Sequence, residues 1–183
     1  RGGEDGGEEP ERLRAADLSA YDYALIDSPP ALNILSVNIL VAARELVIPI
    51  EPHPLSLMVL RRLFETIAKI RRLNPDLQVL GFLPTKVHHS SRLAADMLDT
   101  LAEEFPNLPL LPAVPLSVKS AESAAERTSV LQYLPRSNVA AAYRQVGAWL
   151  DDAESRRSSR TTHPSRLRSQ RLTDSPVEVG AHG

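Results

Sequence analysis

One aspartate stands at the end of an apolar run in Tyr21-Asp22-Tyr23-Ala24-Leu25-Ile26-Asp27-Ser28-Pro29-Pro30. Tyr23 to Ile26 carries no charge, as expected of a strand covered on both faces in a parallel sheet. Pro29 lacks an N–H and pushes Ser28 toward extended backbone, so such a strand must stop there. Asp27 then falls at a carboxyl end, where open α/β sheets place their ligand crevice. A carboxylate there suits Mg²⁺, a hard cation that prefers oxygen. An ordinary strand followed by an acidic helix cap fits the same residues, and the local pattern leaves both readings open.

Other candidates are weaker. His88-His89 lies in a polar loop, but adjacent histidines point in different directions and no partner has ligand spacing, so an exposed loop is expected. Asp96, Asp99, Glu103 and Glu104 share one expected helix and read as its solvated face. Cysteine is absent, which excludes disulfides, thiolate catalysis and cysteine-based zinc sites.

The elements that would position Asp27 are legible in order. Ala31 to Ala43 fits a helix over the sheet, and Glu45 to Ile50 a second buried strand, with Pro49 marking an end or bulge. Leu55 to Leu73 is the clearest helix, its stripe made by Leu57, Leu60, Leu63, Phe64, Ile67 and Ile70. Asn74-Pro75-Asp76 stops it. Leu77 to Leu83 reads as a third strand in which Gly81 implies a bulge or close backbone approach. A helix follows from about Ser91 to Phe105, with Leu93, Met97, Leu98 and Leu101 inward. Leu108 to Val114 is a short, proline-broken apolar segment, Val118 to Arg127 a small helix, and Val130 to Tyr133 a brief extended piece. Ser137 to Leu150 is a last helix with Ser137 as N-cap and Val139, Tyr143, Val146, Trp149 and Leu150 available for packing. Strands alternating with helices predict an α/β layered fold.

Bulk properties agree with one such domain and two polar flanks. The 183 residues are 43% hydrophobic but only 4% aromatic, so the core must be aliphatic. Residues 1–17 carry three basic and six acidic groups and read as a disordered acidic, glycine-rich lead-in. Residues 153–183 carry six arginines against three acids and read as a disordered basic tail. The body, 18–152, has twelve basic and fourteen acidic groups, so overall charge does not mark a dedicated nucleic-acid binder. No apolar run reaches membrane-spanning length, because Arg44 and Glu45 interrupt the longest. No secretory h-region opens the chain, and a cytoplasmic protein is expected.

Specific residues carry a resemblance. Y-D-Y-A-L-I-D-S-P-P-A-L-N resembles the Walker-B segment of the ParA/MinD-type, deviant-Walker partition ATPases. The similarity continues through S-V-N-I-L-V-A-A-R-E-L-V-I-P-I-E-P-H-P-L-S-L, then L-N-P-D-L-Q-V-L-G-F-L-P-T-K. It ends with A-V-P-L-S-V-K-S-A-E-S-A and L-Q-Y-L-P-R-S-N-V-A-A-A-Y-R, covering about residues 18–152 in one colinear order.

The resemblance implies a P-loop-type fold with a three-layer, mostly parallel sheet. It makes Asp27 the aspartate that holds the Mg²⁺ shell through water, and places Thr85 and Pro115 beside the adenine of ATP. It puts Lys119, Arg136 and Arg144 toward nonspecific DNA; the arginine common after the family's loop proline is Leu116 here. It further implies an ATP-dependent homodimer, a ParB-like partner that triggers hydrolysis, and a nucleoid-associated protein without membrane attachment. One departure is large: no K-G-G-x-G-K-[ST] phosphate loop occurs, although its N–H groups and lysines normally cradle the phosphates. In the family that loop's strand lies between the Asp27 strand and the Leu46 strand. This sequence therefore resembles a carboxyl-terminal portion, an incomplete sheet, expected to be inactive alone. A non-catalytic DNA- or partner-binding module derived from the fold is the alternative, and a MinD-like ATPase or bacterial tyrosine kinase a third. Neither the MinD amphipathic membrane helix nor the kinases' tyrosine cluster is found in the Ser/Arg-rich tail.

Overall fold

A computed structural model describes residues 20–29, 33–88 and 90–161, without the side chains of 154–161. The described elements are α1 (Ile34–Ala42), β1 (Glu45–Ile50), α2 (Pro54–Ile70), β2 (Gln78–Pro84), α3 (Arg92–Glu104), α4 (Val118–Ala125), α5 (Val130–Tyr133) and α6 (Asn138–Thr161). The chain divides into two compact units, Arg1–Val146 and Gly147–Gly183, with the boundary inside α6.

β1 and β2 pair in parallel, with Leu46 opposite Val79 and Ile50 opposite Pro84. The connection between them is α2, the crossover that parallel pairing demands. The register shifts between Leu46 and Val47, where β2 spends the extra residue, and the next residue of β2 to pair is Gly81. Gly81 has φ +154, and a Cβ there would run into the carbonyl oxygen of Pro109. The absent side chain is what lets the Pro109–Leu111 segment come alongside: Phe82 N–H donates to Pro109 O at 3.0 Å, and Leu111 N–H to Phe82 O at 2.8 Å. The expected Leu108–Val114 strand is thus reduced to an isolated parallel bridge, Phe82 to Leu110, because its prolines supply no N–H for a longer ladder.

Alternate residues of β1 build the core. Leu46, Ile48 and Ile50 face the same way, and Ile48 and Ile50 join Leu60 of α2, Phe82 of β2 and Leu101 of α3 in one buried cluster. A second cluster sets Leu40 of α1 against Ile67, Ile70 and Leu77, with Leu46, Leu63, Phe64 and Val79 packed against both. The chain's three phenylalanines all meet here. Phe64 and Phe105 stack at 4.9 Å, while Phe82 meets each edge-on, at 6.2 and 5.3 Å. Each aromatic pair adds about 0.5–1.5 kcal/mol beyond area burial, and that concentrates the chain's few aromatics where the sheet meets its helices.

Local caps set the helix limits. Asn33 Oδ1 accepts from Ser36 N–H at 3.1 Å and starts α1 three residues later than the composition suggested. His53 Nδ1 accepts from Leu55 N–H at 3.3 Å, with Pro54 in the first helical position of α2. Ser91, Ser117 and Ser129 accept from the N–H groups of Ala94, Lys119 and Leu131 at 3.2 Å each. The last of these turns Val130–Tyr133 into one helical turn, not the extended piece expected of it. Ser137 Oγ likewise accepts from Ala140 N–H at 3.2 Å, as anticipated. α6 then runs on through Thr161, well past Leu150. Two packing assignments are corrected: Leu93 and Tyr143 are exposed, each sitting off the buried side of its helix.

Asn74 does more than stop a helix. Its side chain is buried, and Nδ2 donates to Leu40 O at 2.9 Å and Ala43 O at 2.6 Å. Those carbonyls lie at the end of α1, where no further helical N–H reaches them. The turn after α2 therefore closes α1 as well.

Candidate functional site

The carboxyl ends of β1 and β2 gather most of the expected ligand-facing residues. Ile50, the last residue of β1, accepts from Thr85 N–H at 2.8 Å and from Thr85 Oγ1 at 3.4 Å. This fixes the half-buried Thr85 directly beyond the end of β2. Two residues later Val87 N–H donates to Val114 O, and Leu116 N–H donates to Val87 O, each at 3.1 Å. Pro115 sits between those bonds, bridged in parallel to Val87. Having no N–H, it leaves the ladder to its neighbours. Thr85 and Pro115 thus stand on adjacent segments at one end of the sheet, while Leu116 is exposed.

Sequence reading missed a charged pair at the same end. Glu51 follows β1 by one residue and Lys86 follows Thr85, and their side chains meet at 3.1 Å. Both are well exposed, so the pair adds little stability. Lys86 holds φ at 53, a left-handed turn that swings the chain from β2 toward Val87. Its signal was present: two parallel strands ending together must bring their following residues side by side. Only the register tells which residues those are.

Asp27 departs from expectation. Residues 23–29 are irregular, with Tyr23, Leu25 and Ile26 exposed and Leu25 89% so. No strand among the described residues pairs with residues 23–26. A strand exists only as a ladder partner, so apolar sequence alone could not make this one. Asp27 is itself exposed, and nothing described brings it to Thr85 and Pro115.

The three candidate cations are scattered and partly engaged. Lys119 lies in the first turn of α4 and reaches both carboxylate oxygens of Glu122, at 2.8 and 3.1 Å. The hydrogen bond that Lys119 donates to Glu122, then the charge of that carboxylate, pushes the Lys119 ammonium above the usual lysine value. Arg144 donates to Pro135 O at 2.7 Å and ties the loop before α6 to that helix. Arg136 is exposed in the same loop. Of the His88-His89 pair, His88 is exposed and His89 lies outside the described residues.

The described residues do not by themselves fit a Mg²⁺–nucleotide complex. No three His, Cys, Asp or Glu side chains converge among them. One exposed carboxylate is a poor substitute for the several oxygens such an ion takes. The described residues likewise supply no glycine-rich loop followed by lysine.

Parallel strands joined by a crossover helix, with polar residues gathered beyond their carboxyl ends, define an α/β fold, and solved P-loop nucleoside-triphosphatase structures share it. McdA of Cyanothece shares it with a TM-score of 0.67 at 26% identity, over 79% of this chain and 59% of McdA. Cobyrinic acid a,c-diamide synthase of Mycobacterium smegmatis, with a bound ATP analogue and magnesium, shares it with a TM-score of 0.62 at 29% identity. That match covers 79% of this chain and 54% of the synthase. A family model described as AAA domain matches residues 11–79. The chromosome-partitioning ATPase Soj of Thermus thermophilus is 32% identical over 127 residues, 69% of this chain and 51% of Soj. The chain belongs to the ParA/MinD-type family of P-loop ATPases. It spans about half the length of the curated relatives it matches.

Proposed function

We propose that this chain forms the part of a ParA-like partition ATPase that borders the nucleotide base and faces DNA. The observation that carries the reading is the pairing of Val87 with Pro115. It sets Thr85 and Pro115 on neighbouring segments at the carboxyl end of a parallel sheet, where such folds bind ligands. In this reading Thr85 and Pro115 would border the adenine, and Asp27 would order the water shell of Mg²⁺ once the missing part of the site is in place. Lys119, Arg136 and Arg144 contact DNA phosphates, the complete protein works as an ATP-dependent homodimer, and a ParB-like partner triggers hydrolysis.

The phosphate-cradling half of the site is not among the described residues, and this reading assigns it to the portion of the relatives' length that the chain does not span. When it is present, a strand beside the free edge of β1 also converts residues 23–26 into a covered strand and brings Asp27 into line. Bound Mg²⁺–ATP would supply charge neutralisation for phosphoryl transfer to water. Without that half, the chain positions a base edge but holds no phosphate.

The test is a nucleotide titration and a phosphate-release assay on the purified chain. The expected outcome is no turnover above the no-protein control. Turnover that disappears in the Asp27→Ala variant would show a complete site and sink the reading. A second reading, a non-catalytic binding module, draws support from the exposed setting of Asp27. Under that reading, adding the amino-terminal half of a relative restores neither ATP binding nor turnover; under the first, it restores both.

A further inference from the structure

Along α3, Leu101, Met97 and Leu93 follow one another back at i, i−4 and i−8, turning about 40° around the helix at each step. Leu101 is buried at 1% exposure, Met97 is half-buried and Leu93 is 54% exposed. The row therefore climbs out of the core as it nears the start of the helix. It emerges on the side that faces α2, because Leu93 lies about three turns before Glu104, and Glu104 meets Arg61 of α2 at 3.1 Å. Farther along, the seam between the two helices is closed, with Phe64 stacked on Phe105 and Leu60 and Leu101 in one buried cluster. At its head the seam opens into a cleft of about 10 Å³, walled by Ile50, Leu57, Met97, Leu98 and Leu101. A water there would need polar partners that these side chains do not offer, so the cleft suits the tip of one aliphatic side chain. The charges beside it are one-sided. Asp96, Asp99 and Glu103 lie exposed along α3 against Arg92 alone, and Arg61 is already held by Glu104.

We infer that the head of the α2–α3 seam is a docking groove for a cationic amphipathic helix of a partner protein. The helix sets one aliphatic side chain in the cleft and lays its Lys and Arg residues along the acids of α3. This goes beyond the nucleotide and DNA reading above and does not depend on it. A helix reads such a groove through apolar anchors at i, i+3, i+4 and i+7, and Leu57, Met97 and Leu93 present the surface those anchors cover. The three acids give the groove its charge preference and repel an anionic segment. A small organic ligand is the poorer fit, because the cleft is far below the roughly 300 Å³ at which ordinary ligand pockets begin.

The chain has two methionines, Met58 and Met97, so methyl-labelled methionine gives the full chain two NMR signals. The probe is a synthetic helix of about 15 residues with leucine at i, i+3, i+4 and i+7 and lysine elsewhere. It should shift the Met97 signal more than that of Met58, which is not among the residues walling the cleft, with a Kd on the order of 10 µM. The same peptide with glutamate in place of lysine should bind about tenfold more weakly or worse, and raising salt should weaken the lysine peptide. Leu93→Asp changes an exposed position and should cost about tenfold in affinity or more. Leu55→Asp, exposed on α2 but outside the cleft, should leave affinity unchanged.

Equal binding of the two peptides, full affinity in Leu93→Asp, or a Met58 shift as large as that of Met97 would each overturn the inference. So would a Met97 signal that moves when the chain alone is diluted, since the occupant would then be a second copy. Binding of neither peptide refutes the groove outright. All of these outcomes leave the nucleotide reading standing, because they involve neither Thr85 nor Pro115.

Discussion

Asn74→Ala removes a side chain that no sequence pattern marks as more than a helix stop. In the folded chain its amide donates to two carbonyls at the end of α1, at 2.9 and 2.6 Å, and only 4% of the residue is exposed. Each bond contributes about 0.5–1.5 kcal/mol net, and a buried carbonyl left unpaired costs about 1–3 kcal/mol. Water can reach part of the Ala43 carbonyl, since that bond is only part-buried, so the lower figure applies there. The Leu40 bond is fully buried and takes a larger one. The sum is about 2–3 kcal/mol, which for a domain of this size lowers the melting temperature by roughly 10 °C. Thermal unfolding followed at 222 nm measures it, with a urea titration to confirm the free energy.

Asn74→Asp sharpens the test. A buried carboxylate facing two carbonyls favours its neutral form, so its folded-state pKa rises above the unfolded value. A protonated carboxyl can donate to one carbonyl; an ionised one repels both. The deficit is therefore smallest below about pH 4 and grows as pH rises through the raised folded pKa. If Asn74→Ala shifts the midpoint by less than about 3 °C, or Asn74→Asp shows no such pH trend, Asn74 does not hold α1 to the turn after α2.

Two further substitutions test other parts of the architecture. Gly81→Ala must place a Cβ against the carbonyl of Pro109 at a φ of +154, and should cost about 2–4 kcal/mol in the urea midpoint. A neutral result would mean that the Pro109–Leu111 segment is not seated on β2. For Lys119, Glu122 raises the folded-state pKa above the usual 10.5. Any stability from the pair is thus complete below that value and lost as pH climbs past the raised one. Because the pair is solvent-facing, Lys119→Gln should move the melting temperature by about 1 °C or less at pH 7. A drop of several degrees would give Lys119 a structural role that its exposed setting does not support.

Much of the fold was legible because its signals are local. Glu45–Ile50 reads as a strand from its Leu46–Ile48 apolar run, and α2 as a helix from the Leu60, Ile67 and Ile70 spacing. Ser91 and Ser137 announce their helices by side-chain chemistry that acts within three residues. The family resemblance was legible for the same reason, since it rests on ordered segments whose identity needs no partner. Val130–Tyr133 was misread because one serine cap outweighed a short β-prone run. The end of α6 was missed because arginine and serine carry no apolar periodicity to follow.

By itself the sequence determined that this is an α/β chain with one aspartate closing an apolar run, no cysteine chemistry and a run of arginines after residue 155. Composition and short-range spacing decide such things, and they survive in any fragment of the chain. Only the tertiary structure decided which residues share a site. It set Thr85 beside Ile50, Pro115 beside Val87, Lys86 against Glu51 and Asn74 under α1, because each of those pairings joins residues dozens of positions apart, through strand register or through the turn after α2. It also decided that the residues around Asp27 are an exposed irregular segment among the described residues. An apolar run becomes a strand only when another strand lies beside it, and that condition is not written in the run.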